Sequence, residues 1–113
     1  MKVMISQPMA GKSVEQVKEE RQRVVDRLTK MGHEVVDSVI AKEPPQTPHA
    51  ALWYLGGALQ IMSTCDAVLF MKGWDTARGC RVEHQAVLDY GLELMFESDL
   101  YPKRSQKGFA ICS

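Results

Sequence analysis

A glutamate sits where helical geometry calls for an apolar side chain. On a wheel of about 100° per residue, the segment Gly79–Tyr90 gathers Val82, Ala86, Val87 and Tyr90 into one sector, and Glu83 falls inside it. Arg81, His84 and Gln85 point elsewhere. A carboxylate on a sheet-facing surface is costly unless something pairs with it or uses it. Near a helix N-terminus the dipole and free N–H groups favour the ionised form, and the side chain can emerge above the sheet edge to meet a ligand. The competing reading is a first-turn glutamate that serves the helix end or pairs with Arg78 or Arg81. Asp66, at the head of the apolar run DAVLFM, is either a turn cap or a second reactive carboxyl. Trp74-Asp75 either faces a ligand or anchors its loop.

Other combinations point to less. Ser6–Ser13 (SQPMAGKS) approaches the phosphate-binding pattern G-x-x-x-x-G-K-[ST], but Ser6 stands where the first glycine belongs. The loop still opens a helix, whose N-terminus can hold a phosphate. His33, His49 and His84 have no ligand spacing, and Cys65, Cys80 and Cys112 form no Cys-x-x-Cys pair. Neither a metal site nor a cofactor is expected, and the cysteine usage fits a reduced, cytoplasmic protein.

The elements that must position these residues follow from periodicity. Lys2–Ser6 reads as a strand. Ser13–Met31 switches to helical spacing through Val14, Val17, Val24, Val25, Leu28 and Met31. Ser13 is its expected N-cap, Gln16 completes a capping box, and Gly32 is the C′ residue. His33–Ile40 reads as a β-branched strand. A second helix is expected over Pro48–Ser63, capped by Thr47, with Leu52, Leu55, Leu59 and Met62 on one face and Gly56-Gly57 in its middle. Asp66–Met71 reads as a buried central strand, Gly79–Tyr90 as the third helix, and Leu92–Phe96 as the last strand. This alternation predicts an α/β fold: a three-layer, Rossmann- or flavodoxin-like parallel sheet of about four strands with helices on both faces. The domain is expected to span residues 1–97, and residues 98–113 to form a tail or loosely attached element. Ligands in such folds bind beyond the C-terminal strand ends, which selects the loops Gln7–Lys12 and Lys72–Arg78.

Composition bounds the function. At 113 residues there is room for one domain. Fourteen basic residues balance fourteen acidic ones, which argues against a nucleic-acid partner. No apolar run approaches the roughly 18 residues of a membrane span, and MKVMIS leads straight into a strand without a signal-peptide pattern.

The strings ISQPMAG, GHEVV, CDAVLFMKGW and ARGCRVEHQAVLDYG, in this order and spacing, resemble the nucleoside 2-deoxyribosyltransferase-like superfamily. They look closest to a compact branch of phages and bacteria, related to the 2′-deoxynucleoside 5′-phosphate N-hydrolases. The resemblance covers residues 1–97. It implies an enzyme, hydrolase or transferase, that acts on the N-glycosidic bond of a nucleoside or nucleotide. It further implies that Glu83, four residues after Gly79, is the nucleophile and that Asp66 assists base protonation. The first loop, from Ser6 and Gln7 through Pro8 and Met9 to Gly11, would contact sugar or phosphate. Trp74, Asp75, Arg78 and Gly79 would complete the substrate site, and a homodimer or larger homo-oligomer is implied. Three positions depart from the family pattern: Met4 replaces a tyrosine that holds the nucleophile, Gln7 replaces a glycine, and Ala77 replaces a phosphate-binding serine, leaving Arg78 as the available cation. Those departures also suit a nucleotide sensor without turnover, and a phage interaction protein without a ligand is a third possibility.

Overall fold

In the computed structural model, residues 1–38 and 42–101 are described. β1 (Lys2–Ser6) alternates its side chains between the two faces of the sheet. Val3 and Ile5 enter one core, while Met4 enters the other. α1 (Val14–Lys30) follows, then β2 (Glu34–Val36), α2 (Ala50–Met62), β3 (Ala67–Phe70), α3 (Arg78–Tyr90) and β4 (Glu93–Phe96). All four strands are parallel, in the order β2-β1-β3-β4. Val24 and Leu28 of α1 pack with Val3, Ile5, Ala67 and Leu69 on one face. Met62 of α2 and Val87 of α3 pack with Met4, Val68 and Phe70 on the other. The three-layer α/β fold is therefore as expected. No helix of the described residues is long and apolar enough to cross a membrane.

Successive crossovers leave β1 and β3 toward opposite faces, so the strand order reverses between these two neighbours. Their C-terminal ends lie side by side, with Ser6 in register with Phe70. This is the crevice where open parallel sheets bind ligands.

Local signals explain most boundaries. Ser13 Oγ accepts from the Gln16 amide at 3.1 Å, but the Gln16 side chain reaches forward to Glu20 at 3.2 Å; only half of the capping box forms. Gly32 takes the left-handed conformation at φ 89°. β2 is shorter than His33–Ile40 because Ser38 Oγ donates to the Ile5 carbonyl at 3.2 Å, ending the backbone ladder; residues 39 and 40 of the expected strand lie outside the described residues. α2 starts at Ala50 rather than Pro48 because Thr47 Oγ1 accepts from the His49 amide at 3.1 Å in a local turn. Gly56 faces open space, so packing on the sheet does not explain it.

The expected body–tail boundary at residues 97/98 falls too early. Glu97–Leu100 forms a 3-10 turn that carries Leu100, 2% exposed, into the α1 core. Arg27 Nε donates to the Leu100 carbonyl at 2.8 Å, and its guanidinium lies 5.9 Å from the Tyr101 ring centroid. The remainder of the expected tail, residues 102–113, lies outside the described residues.

Candidate functional site

The inward face of α3 is set by Cys80, Glu83 and Val87, all buried. The wheel expected Val82 and Tyr90 there. Both are instead exposed, Tyr90 at 83%. The buried face is therefore turned, and Glu83 lies at its centre, one turn from Cys80 and one from Val87. α3 begins at Arg78, so Glu83 belongs to the second turn rather than the first. It has passed the free N–H groups that would have favoured its charge.

Glu83 is 8% exposed. Ser6, the last residue of β1, donates its hydroxyl to Glu83 Oε1 at 2.5 Å in a buried hydrogen bond. Burial pushes the Glu83 carboxyl above its ordinary 4.5, and the Ser6 hydrogen bond pulls it back only in part. Neither Arg78 nor Arg81 forms an ion pair with it among the described residues. Arg78 is exposed and lines an outer groove of α3 with Arg81, Val82 and Tyr90. Sequence reasoning missed Cys80. Burial raises its thiol above the ordinary 9.0, the Ser6 hydroxyl offsets part of that rise, and the nearby Glu83 charge adds to it. Its spacing three residues before Glu83 was the available signal.

The other expected site residues divide. Gln7, 8% exposed, turns to the opposite face of the sheet, where Nε2 donates to the Val17 carbonyl of α1 at 2.9 Å. Pro8 abuts the Lys72–Arg78 loop at Gly73, where a β-carbon would lie 3.5 Å from its Cγ. Met9 is half exposed, and Gly11 turns the loop at φ 78°. Lys12, which a phosphate loop would hold free, is paired with Glu20 at 2.8 Å. Gly79 lies in the first turn of α3 and Asp75 is exposed, its carbonyl accepting from Arg81 Nη1 at 3.4 Å. Trp74 anchors its loop: it stacks on His84 at 4.3 Å and packs against Phe70 and Phe96 at 5.5 and 5.9 Å.

Asp66 does not join Glu83. It precedes β3, at the N-terminal edge of the sheet, where Oδ2 accepts from the Lys2 amide at 2.8 Å. Four residue steps along the extended strand, roughly 13 Å at about 3.3 Å each, separate it from Phe70 beside Ser6. It is exposed rather than buried, and its carboxylate caps the first amide of β1. Asp66→Ala should cost about 1 kcal/mol of stability in a urea melt and leave ligand binding at Glu83 unchanged.

A cleft of ≈560 Å³ lies one strand away, lined by Phe70, Lys72, Trp74, Phe96, Glu97 and Tyr101 among others. Neither Ser6 nor Glu83 lines it. Among the described residues no group of three His, Cys, Asp or Glu side chains could hold a metal ion.

The family described as "Domain of unknown function (DUF4406)" matches residues 1–96. No curated protein and no solved structure matches the chain.

Proposed function

The chain belongs to the DUF4406 family, and from its own site we propose that it cleaves or transfers the N-glycosidic bond of a nucleoside or nucleotide, with Glu83 as nucleophile. One observation carries the reading: a buried carboxyl held by a buried hydroxyl at the strand-order reversal of a parallel sheet. Burying such a group is unfavourable and contributes nothing to packing that a leucine would not supply.

In this reading the Glu83 oxygen not held by Ser6 attacks the anomeric carbon. The bond from that carbon to the base nitrogen breaks, the base leaves with the electron pair, and it takes a proton from solvent. Water then attacks the glycosyl ester to release the sugar, or a second base replaces water and completes a transfer. Ser6 orients the carboxylate and stabilises its charge, the part that Met4, 1% exposed in the core, cannot play. A panel of deoxynucleosides, ribonucleosides and their monophosphates, assayed for free base, tests the proposal. Glu83-dependent release from at least one member is the expected result. Silence across the panel refutes it.

The position of Asp66 favours a second reading. Without that acid beside Glu83, the same buried pair suits a nucleotide sensor, for which ligands raise the melting temperature without being consumed.

A homodimer belongs to the proposal as well. α2 carries no charged residue and buries only Met62, while Leu52 is 64% and Tyr54 37% exposed. A helix apolar on all sides calls for cover on all sides. Light scattering during gel filtration should give twice the chain mass, and Leu52→Glu should return a monomer. A wild-type monomer at high micromolar concentration refutes the dimer.

A further inference from the structure

Cys80 is a buried group to which the glycosidic reading gives no role. It is 5% exposed and shares the inward face of α3 with Glu83 and Val87. Cys65 shows what a thiol near a helix end does by default: its Sγ donates to the carbonyl four residues earlier, that of Ile61, at 3.4 Å. Among the described residues Cys80 has no such backbone acceptor. Besides burial, the groups that act on its thiol are the Ser6 hydroxyl, within hydrogen-bonding reach, and the Glu83 carboxylate.

Ser6 therefore lies between the two side chains of α3, and it is 2% exposed. A serine hydroxyl has one proton to give and two lone pairs to fill. The proton goes to Glu83 Oε1, at a length typical of a hydroxyl that donates to an ionised carboxylate. The neighbour on the other side is the thiol. Burial and the Glu83 charge both keep that thiol protonated through neutral pH, so it remains a donor. A hydroxyl swings about a single bond, and its proton could otherwise turn from the carboxylate toward the sulfur. A second donor at that side closes the option, because two protons cannot share one contact. No charged side chain of β1, β3, α2 or the Lys72–Arg78 loop acts on Glu83; burial and Ser6 do. His84, the next residue of α3, stacks on Trp74 instead.

Resting on the reading of Glu83 as nucleophile, we propose that Cys80 is a positioning residue for it: the thiol donates to Ser6 Oγ, which commits the single Ser6 proton to Glu83 and leaves the other carboxylate oxygen for the anomeric carbon. No bond to sulfur forms or breaks, and the thiol proton stays where it is.

Infrared spectroscopy reads the contact directly. Hydrogen bonding lowers the S–H stretching frequency, and the Cys80 band is the one that vanishes in Cys80→Ser. That band should move to higher frequency in Ser6→Ala. In the wild type it should move lower as Glu83 ionises and polarises the Ser6 hydroxyl. Base release and the pH dependence of Tm read the consequence. Cys80→Ala should lower kcat roughly threefold to tenfold with KM unchanged, and should raise further the pH at which Glu83 ionises. Cys80→Ser keeps a donor and should return both toward the wild type. A role in packing alone gives the reverse order, with alanine tolerated better than the more polar serine. In a Ser6→Ala background the two Cys80 variants should titrate alike. A band unmoved by Ser6→Ala, or the same Glu83 titration in wild type, Cys80→Ala and Cys80→Ser, overturns the proposal. Where Cys80→Ala fails to fold, the shift of the band in Ser6→Ala decides alone. No base release from any chain removes Glu83 as nucleophile, while the band and the titration still decide whether Cys80 holds Ser6 against it.

Discussion

Glu83→Gln should lower base release by about 10⁴-fold or more, as loss of a covalent nucleophile does, and should raise the melting temperature at neutral pH. The second half follows from the direction of the titration. The folded carboxyl ionises above its ordinary 4.5 because it is buried. Between 4.5 and the raised value the folded state holds more proton than the unfolded state, so stability falls as pH rises through that window. Above the window the folded chain carries the full penalty of a buried charge; below 4.5 it carries none. Glutamine never ionises and can still accept the Ser6 hydroxyl. With roughly 1 kcal/mol at stake, the variant should melt about 4–8 °C higher at neutral pH and no higher at pH 4. For the same reason, the acid limb of kcat/KM in the wild type should have its midpoint above 4.5. Undiminished base release excludes Glu83 as nucleophile, and a melting difference independent of pH excludes the buried charge.

The second large effect concerns Leu100, outside the matched span of residues 1–96. Leu100→Ala should destabilise the chain by about 2–5 kcal/mol, the range for a fully buried leucine whose cavity does not collapse. Against a total of about 5–15 kcal/mol for a domain, that is a large fraction. A chain ending at Phe96 should fare worse than one ending at Tyr101. It also loses the Glu97 carboxylate on the Lys72 amide at 2.8 Å and the Asp99 carboxylate on the Phe96 amide at 3.1 Å. Urea midpoints of the two truncations measure the difference. Equal midpoints would mean that the turn only rests on the core.

The fold was legible because each strand and helix announced its own period. Val3, Met4 and Ile5 read as a strand wherever they pair, and Ser13 and Gly32 bracket α1 by local chemistry alone. The site was half legible. Glu83 stood out as an acid among apolar residues, but the wheel was turned because Val82 and Tyr90 are as apolar as the positions that are buried. Nothing local distinguishes an apolar residue facing the sheet from one facing outward. Asp66 was misplaced for a different reason. A strand of four residues has two ends, and an aspartate just before it belongs to the N-terminal one, opposite the end where ligands sit. Ser6 as the partner of Glu83 was beyond reach, because their meeting depends on how α3 rolls against β1. That the buried Gln7 Oε1 has no hydrogen-bond partner among the described residues could not be read from sequence at all, since only packing decides which amide atom is left over.

The alternation of β1 has a consequence for how such a chain can change. Because Ser6 owes its face to parity along a five-residue strand, inserting or deleting one residue between Lys2 and Ser6 would turn its hydroxyl away from Glu83, and would turn Val3 and Ile5 out of their core as well. A point substitution at Gln7 loses the hydrogen bond to the Val17 carbonyl but leaves the register of the strand intact. Descent from a common ancestor should therefore leave the length of this segment frozen, so that related chains differ here by exchange of side chains and never by indels.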